Sequence, residues 1–203
     1  MARVRRSGMD AFAEPHRIAR LLRGFKGPWF VAGGWAIDLF VGRETRAHED
    51  IEIAVWRDDQ RTLRQYLTGW RFEKIARGTR EPWREDEWLA LPVHEVHGVG
   101  PDGESLEILL NERTGGAWQF RRNPTVTRPE DRIALRSRDG IPFLAPEVVL
   151  LYKAKDPRPH DEQDFTTAQP RLDPERAEWL RRALELCHPG HPWTAPLGTP
   201  ATS

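Results

Sequence analysis

The chain has little cysteine, little lysine, no surplus of charge and no long apolar run. Its one cysteine, Cys187, excludes an internal disulfide framework and a Cys-x-x-Cys zinc cluster. No apolar run approaches the ~20 residues of a membrane span. The basic start "MARVRRSGMDAF" is followed by no apolar h-region, so no secretory signal is expected and the cytoplasm is the expected location. Lys+Arg and Asp+Glu both number 31. That balance, without an appended basic domain, disfavours RNA tailing and general nucleic-acid binding. Lysine occurs only as Lys26, Lys74, Lys153 and Lys155, so each lysine is worth following. No internal repeat is present.

What is there suits one folded domain with a small appendage: 203 residues, 38% hydrophobic and 31% charged. Helical spacing over 10–25 is followed by a short apolar strand, "PWFVA" (28–32), and a short helix, 34–41, stopped by Gly42. "DIEIAVW" (50–56) alternates at the strand period. Asp58 and Asp59 precede a helix that ends at Gly69, and 70–76 reads as a further strand. Residues 77–92 read as irregular. "VHEVHGV" (93–99) and "SLEILLNE" (105–112) flank Gly100-Pro101-Asp102-Gly103 and form a hairpin. "AWQFRR", "DRIALRS" and the Asp-Gly turn of "RDGIPFL" suggest more strands. From Pro146 the pattern is helical, ending in a helix capped by Asp173-Pro174. The expected organisation is an α/β domain over 10–145, a helical segment over 146–188 packed on it, and loose tails at 1–8 and 189–203.

The functional signal lies in "GGWAIDLFVGRETRAHEDIEIAV", residues 33–55. Asp50 and Glu52 share one face of a strand, ~7 Å apart, while Ile51, Ile53 and Val55 share the other. Like charges held this close raise each other's pKa unless a cation intervenes, and Mg²⁺ is the natural partner of paired carboxylates. The same alternation also describes any half-exposed strand. The preceding Gly33-Gly34 shifts the balance, because a strand, two glycines and a helix start present backbone N–H groups to an anion. Glu107, between Leu106 and Ile108, is the candidate third carboxylate of a two-metal site. Glu95, Glu104 and Glu112 lie nearer turns or strand ends, and His94, His97 and His160 show no metal-ligand spacing.

On these residues the chain resembles the nucleotidyltransferase superfamily that includes DNA polymerase β. Within it, the chain is most like the aminoglycoside and lincosamide nucleotidyltransferases. Their pattern Gly-Gly-Trp-Ala-Ile-Asp, then Gly-Arg-x-Thr-Arg-x-His-x-Asp, is matched at Gly33, Gly34, Trp35, Ala36, Ile37, Asp38, Gly42, Arg43, Thr45, Arg46, His48 and Asp50. "LEILLNE" and "IPFLAPEVVLLYKAKDPRPHDEQDF" extend the likeness over most of 28–165. The antibiotic-modifying relatives usually carry Asp-x-Asp where this chain has Asp50-x-Glu52.

The resemblance implies an α+β, polymerase-β-like fold: a mixed sheet flanked by helices, with a C-terminal helical segment. It implies transfer of a nucleoside monophosphate, AMP from ATP or another nucleotide from its triphosphate, to a hydroxyl of a small molecule such as an aminoglycoside or lincosamide. Asp50, Glu52 and Glu107 become ligands of two Mg²⁺ ions, with Glu107 also a candidate base. Gly33, Gly34, Arg43, Thr45, Arg46, His48 and Lys153 become candidate nucleotide contacts, and "DEQDF" (161–165) a partner of Lys153 and Lys155. Asp38 is expected to anchor a local network. An acidic cleft would suit an aminoglycoside, and Glu81, Glu85, Asp86 and Glu87 are candidates for its rim; Trp83, Trp88 and Trp118 are either acceptor contacts or packing residues. A protein-modifying nucleotidyltransferase of the toxin–antitoxin type and a non-catalytic nucleotide-binding protein remain alternatives. A monomer and a homodimer are both compatible with the sequence.

Overall fold

The computed structural model describes residues 11–198; the expectation of a loose segment at 1–8 and at 199–203 falls outside them. The chain opens with α1 (Ala13–Leu21), β1 (Trp29–Val31), α2 (Gly33–Val41), β2 (Glu52–Trp56) and α3 (Gln60–Tyr66). The strands β3 (Arg71–Ala76), β4 (Thr79–Pro82), β5 (Glu95–Val99), β6 (Ser105–Thr114), β7 (Ala117–Gln119), β8 (Thr127–Pro129), β9 (Ala134–Arg136) and β10 (Pro142–Leu144) follow. The end is helical: α4 (Pro146–Lys153), α5 (Pro159–Ala168), α6 (Pro174–Cys187) and α7 (Thr194–Leu197).

Ten strands form one mixed sheet, ordered β4-β3-β5-β6-β2-β1-β10-β9, with β7 paired to β6 and β8 to β7. Two pairs are parallel, β1 with β10 and β2 with β6. The α+β expectation therefore holds. α2 is apolar around most of its circumference, with Trp35, Ala36, Ile37, Leu39 and Val41 buried, as befits a helix enclosed between the sheet and its neighbours. It stops at Gly42, whose φ of 81° is the left-handed conformation that a glycine end-cap supplies. The helix α6 opens as its sequence requires, the Asp173 side chain accepting from the Arg176 N–H and Pro174 filling the first position. It buries Leu180, Ala183 and Leu184.

Three expectations change. The strand β2 starts at Glu52 rather than Asp50, although the Ile51 carbonyl still accepts from the Glu107 N–H at 3.0 Å. The stretch 77–92 is not wholly irregular, because β4 folds back on β3 through a turn in which Arg77 and Gly78 both have positive φ. Its remainder is pinned by Arg57, whose Nη1 donates to the carbonyls of Leu89 and Val93, each at 2.8 Å. Residues 189–198 are not loose. Trp193 is 2% exposed, stacks on Phe165 with ring centroids 4.3 Å apart, and donates its indole N–H to Glu162 at 2.8 Å.

Removing that indole measures how much this last segment contributes. Trp193→Ala should destabilise the fold by about 3 kcal/mol, the usual cost of deleting a buried aromatic. For a chain of this size the thermal midpoint should fall by roughly 6–12 °C. An unchanged midpoint by calorimetry would mean that 189–198 does not pack on α5.

Candidate active site

The site begins where β1 ends. Ala32 is extended and caps α2, and its N–H donates to the Glu52 carbonyl at 2.8 Å. Gly33 then takes φ +59°, and a β-carbon there would lie 1.4 Å from Glu52 Oε2. The first turn of α2 is thus laid directly over the Glu52 carboxylate, and only glycine permits both the backbone and the approach.

Glu52 is the register partner of Glu107 in the parallel β2–β6 pair, and Glu107 is the partner of His97 in the antiparallel β5–β6 pair. Glu95 lies two residues before His97 and so shares its face. His97 bridges two carboxylates: Nε2 is 2.8 Å from Glu95 Oε1, and Nδ1 is 3.3 Å from Glu107 Oε1. Ligand atoms of Glu95, His97 and Glu107 all lie within 4.8 Å of one another. Burial, reinforced by the charges of Glu107 and Glu95, pushes the Glu52 carboxyl up to about 6, against the opposing pull of Lys153 and Arg158. Glu107 is raised too, by burial and by Asp50 and Glu95, with His97 opposing. Asp50 is exposed; its charge reaches Glu107, although its carboxylate stands outside the Glu95–His97–Glu107 group.

Of the expected carboxylates, then, the fold sets Glu52 and Glu107 side by side and Asp50 at their edge. It adds Glu95 and His97, which the sequence reading set aside. A signal for them existed. The hairpin turn at 100–103 fixes the pairing of Val99 with Ser105, and counting back by the strand period puts His97 opposite Glu107.

The loop 43–48 is held from two sides. Asp38, fully buried in α2, accepts from Thr45 Oγ1 and lies 2.6 Å from His48 Nε2. The His48 ring stacks on Trp35 with centroids 4.2 Å apart. Arg46 forms a two-pronged pair with buried Asp164 of α5, at 2.9 and 3.0 Å. A β-carbon on Gly34 would stand 2.2 Å from Arg46 Nη2 and 2.7 Å from the His48 ring, so Gly34 makes room for this brace. Asp38 anchors a local network, as its sequence position suggested. Thr45, Arg46 and His48 spend their side chains on the brace, whereas Arg43 is exposed. Lys153, at the end of α4, pairs with Asp161 and, at 3.0 Å, with Asp164, which is the partnership expected from "DEQDF".

A cleft of about 440 Å³ lies between this carboxylate face and α4. Gly33, Glu52, Glu95, Arg121, Tyr152, Lys153 and Asp156 are among the residues that line it. The expected acidic rim does not form. Glu81 and Glu87 turn to Lys74, and neither they nor Glu85 nor Asp86 lines the cleft. Trp83 and Trp118 are packing residues, 4% and 0% exposed, and Trp88 is 46% exposed away from the cleft.

Two solved structures share this architecture. A lincomycin-bound lincosamide antibiotic adenylyltransferase, LnuA, is 20% identical with a TM-score of 0.53, covering 75% of this chain and 92% of its own. ANT(2'')-Ia in complex with adenylyl-2''-tobramycin is 20% identical with a TM-score of 0.59, covering 84% of this chain and 94% of its own. Among curated proteins none matches in sequence. At these identities the likeness fixes the fold. The family is fixed by the sequence model for aminoglycoside-2''-adenylyltransferase, which matches residues 15–167 and so takes in the α2 start, the carboxylate strands and the Lys153 network. The chain belongs to the aminoglycoside-2''-adenylyltransferase family of nucleotidyltransferases.

Proposed function

We propose that the chain transfers a nucleoside monophosphate, AMP from ATP, to a hydroxyl of a small molecule, with Mg²⁺ held by the carboxylate face. One observation carries this reading: the first turn of α2 lies on the Glu52 carboxylate, beside Glu107. That arrangement juxtaposes backbone donors for a triphosphate with an uncompensated pair of acids.

The donor set suits a hard divalent ion, being all-oxygen at Asp50, Glu52 and Glu107, with Glu52 level with Glu107 on the neighbouring strand. Asp50, Glu52 and Glu107 would hold Mg²⁺, which would supply neutralisation of the charge that develops on the transferred phosphate. The protein's own groups do the positioning. Gly33 and Gly34 offer N–H groups to the phosphates, and Lys153, already facing the cleft, adds a cation. Glu107 accepts the proton of the acceptor hydroxyl as its oxygen attacks the α-phosphorus. The α–β phosphoanhydride bond breaks and pyrophosphate leaves. Thr45, Arg46 and His48 contribute by fixing the loop that leads into Asp50. The lincomycin and adenylyl-tobramycin held by the similar structures support an antibiotic hydroxyl as the first acceptor to test.

Calorimetry tests the site directly. ATP should bind only with Mg²⁺, and Asp50→Ala or Glu52→Ala should weaken binding at least about tenfold, roughly 1.4 kcal/mol. Pyrophosphate release with tobramycin and with lincomycin then reads transfer. A wild-type chain that binds no nucleoside triphosphate under any of these conditions would sink the proposal. Lys153→Gln should raise the ATP dissociation constant by about tenfold, the worth of one charge-assisted phosphate contact; an unchanged constant would place Lys153 outside the nucleotide site.

Glu52 also makes a stability prediction of opposite sign to its functional one. Its carboxyl titrates near 6 in the folded chain against an ordinary 4.5. The folded state therefore holds this proton more tightly, and the associated stability is full below about 4.5 and lost as pH rises through about 6. Without metal at pH 8, Glu52→Gln should stabilise the chain by about 2 kcal/mol, or roughly 4–8 °C. Mg²⁺ should then raise the midpoint of the wild type and leave that of the variant unchanged. A variant less stable than the wild type in chelator would show that Glu52 is not held there against its own charge.

A further inference from the structure

The row of side chains that carries Glu52 and Glu107 continues one strand further. Glu52, Glu107 and His97 stand level on β2, β6 and β5. Directly paired residues point to the same face of a sheet, so the imidazole lies on the carboxylate side, and Glu95 joins it from two residues away. Glu52 and Glu107 have a part in the transfer chemistry; Glu95 and His97 have none.

The contacts of His97 single it out. Its side chain is 13% exposed. Nε2 lies 2.8 Å from Glu95 Oε1, Nδ1 lies 3.2 Å from Arg80 Nη2, and Glu107 Oε1 lies 3.3 Å from that same Nδ1. A guanidinium only donates, so Nδ1 meets Arg80 with a lone pair, while Nε2–H donates to Glu95. An imidazole nitrogen and a carboxylate oxygen therefore turn electron pairs toward one small space, which the tip of Arg80 occupies. Arg80 is weakly held there: its side chain is 58% exposed and its other acidic neighbour, Glu73, is 3.8 Å away.

This spacing is that of two ligands on one metal. Two atoms each bound to a tetrahedral zinc ion at its usual bond lengths stand ~3.3 Å apart, and Nδ1 and Glu107 Oε1 stand 3.3 Å apart before any ion binds. Glu95 fixes which ring nitrogen is bare, as the outer carboxylate of a carboxylate–histidine–metal arrangement does. It is also close enough to join the set, since ligand atoms of all three residues lie within 4.8 Å of one another. One imidazole and two carboxylates leave a fourth position for water. Such a mixed set suits zinc and its neighbours, whereas Mg²⁺ prefers oxygen alone.

We propose that Glu95, His97 and Glu107 form a site for a divalent ion of the zinc class, separate from the all-oxygen set at Asp50 and Glu52 and sharing Glu107 with it. The site deepens the nucleotidyl-transfer reading and rests on it only through that shared carboxylate.

The test is calorimetry on the untagged full chain, stripped with chelator and titrated with Zn²⁺, with Mg²⁺, and with Mg²⁺ plus the unreactive analogue α,β-methylene-ATP. The wild type should bind one Zn²⁺ per chain, and more tightly than Mg²⁺. His97→Gln and Glu95→Gln should each weaken Zn²⁺ by at least about tenfold, the lower bound even for a group that only braces a ligand, and change the affinity for the Mg²⁺–analogue by less than about twofold. Asp50→Ala should do the reverse, and Glu107→Gln should weaken both. Thermal midpoints in chelator check that each variant is folded. Co²⁺ gives a second reading, a visible absorption band present in the wild type and lost in His97→Gln. The rival donors are Cys187 with His188 and His191, whose rings are 6.1 Å apart; Cys187→Ser and His191→Gln should leave Zn²⁺ binding unchanged. A wild type that binds no Zn²⁺ would reduce His97 to a counter-charge for two glutamates and overturn the proposal. So would Zn²⁺ binding that survives both β5 variants, that is lost with Cys187, or that Mg²⁺ matches. Loss of the Mg²⁺–analogue together with Zn²⁺ in His97→Gln would merge the two sets into one and overturn their separation. If Zn²⁺ binds as expected but no Mg²⁺–nucleotide does, the transfer reading fails and the zinc-class site stands.

Discussion

A β-carbon at residue 33 would stand 1.4 Å from a carboxylate oxygen of Glu52, and this close approach constrains everything around it. It requires β1 to end where it does, so that α2 can start with its N–H groups above β2. It requires β2 to run beside β6, which brings Glu107 level with Glu52. It requires the loop into β2 to arrive at a defined height, because the Ala32 N–H is bonded to the Glu52 carbonyl. The cost is a carboxylate held under a lid of backbone with another acid beside it. Among the described residues Lys153 and Arg158 oppose that charge, and burial with Glu107 outweighs them.

The fold secures this arrangement with buried acids that each bind two elements together. Asp38 joins α2 to the 43–48 loop, Asp164 joins α5 to that loop and to α4, and Glu147 joins α4 to Arg128 of β8 and to Arg176 of α6 at 2.6 and 2.7 Å. Such pairs add little net stability over an apolar replacement, but each is costly to half-break. They therefore fix one relative placement of the helices and the site. The preference for arginine fits that role, since its planar fork can hold a carboxylate at two points, as Arg46 holds Asp164 and Arg128 holds Glu175.

Local features explain what could be read from the sequence. Gly33, Gly42, the Asp-Gly turn before β10 and the Asp173-Pro174 cap each specify a backbone conformation over a few residues, and the structure has each of them. The strand period put Glu52 and Glu107 among apolar neighbours. What could not be read depended on contacts far apart in sequence. Trp193 looked like part of a Pro- and Gly-rich tail because its partners, Phe165 and Glu162, lie some 30 residues earlier. Thr45, Arg46 and His48 fit the family motif, but their occupation with Asp38 and Asp164 depends on how α5 docks. His97 shows the intermediate case, invisible by ligand spacing and recoverable by hairpin register.

The pair Arg121 and Arg122 was the least legible element, since two arginines among so many carry no signal until Tyr152 is seen beneath them. Negative charge is concentrated on the sheet, at Glu52, Glu107 and Glu95. Lys153 and Arg158 are tied to the α5 carboxylates Asp161 and Asp164. Arg121 and Arg122 line the same cleft, seated over the Tyr152 ring. Glu81 and Glu87, expected at a cleft rim, pair with Lys74 at the other edge of the sheet, and the acids that line the cleft are Glu52, Glu95, Asp156 and Asp161.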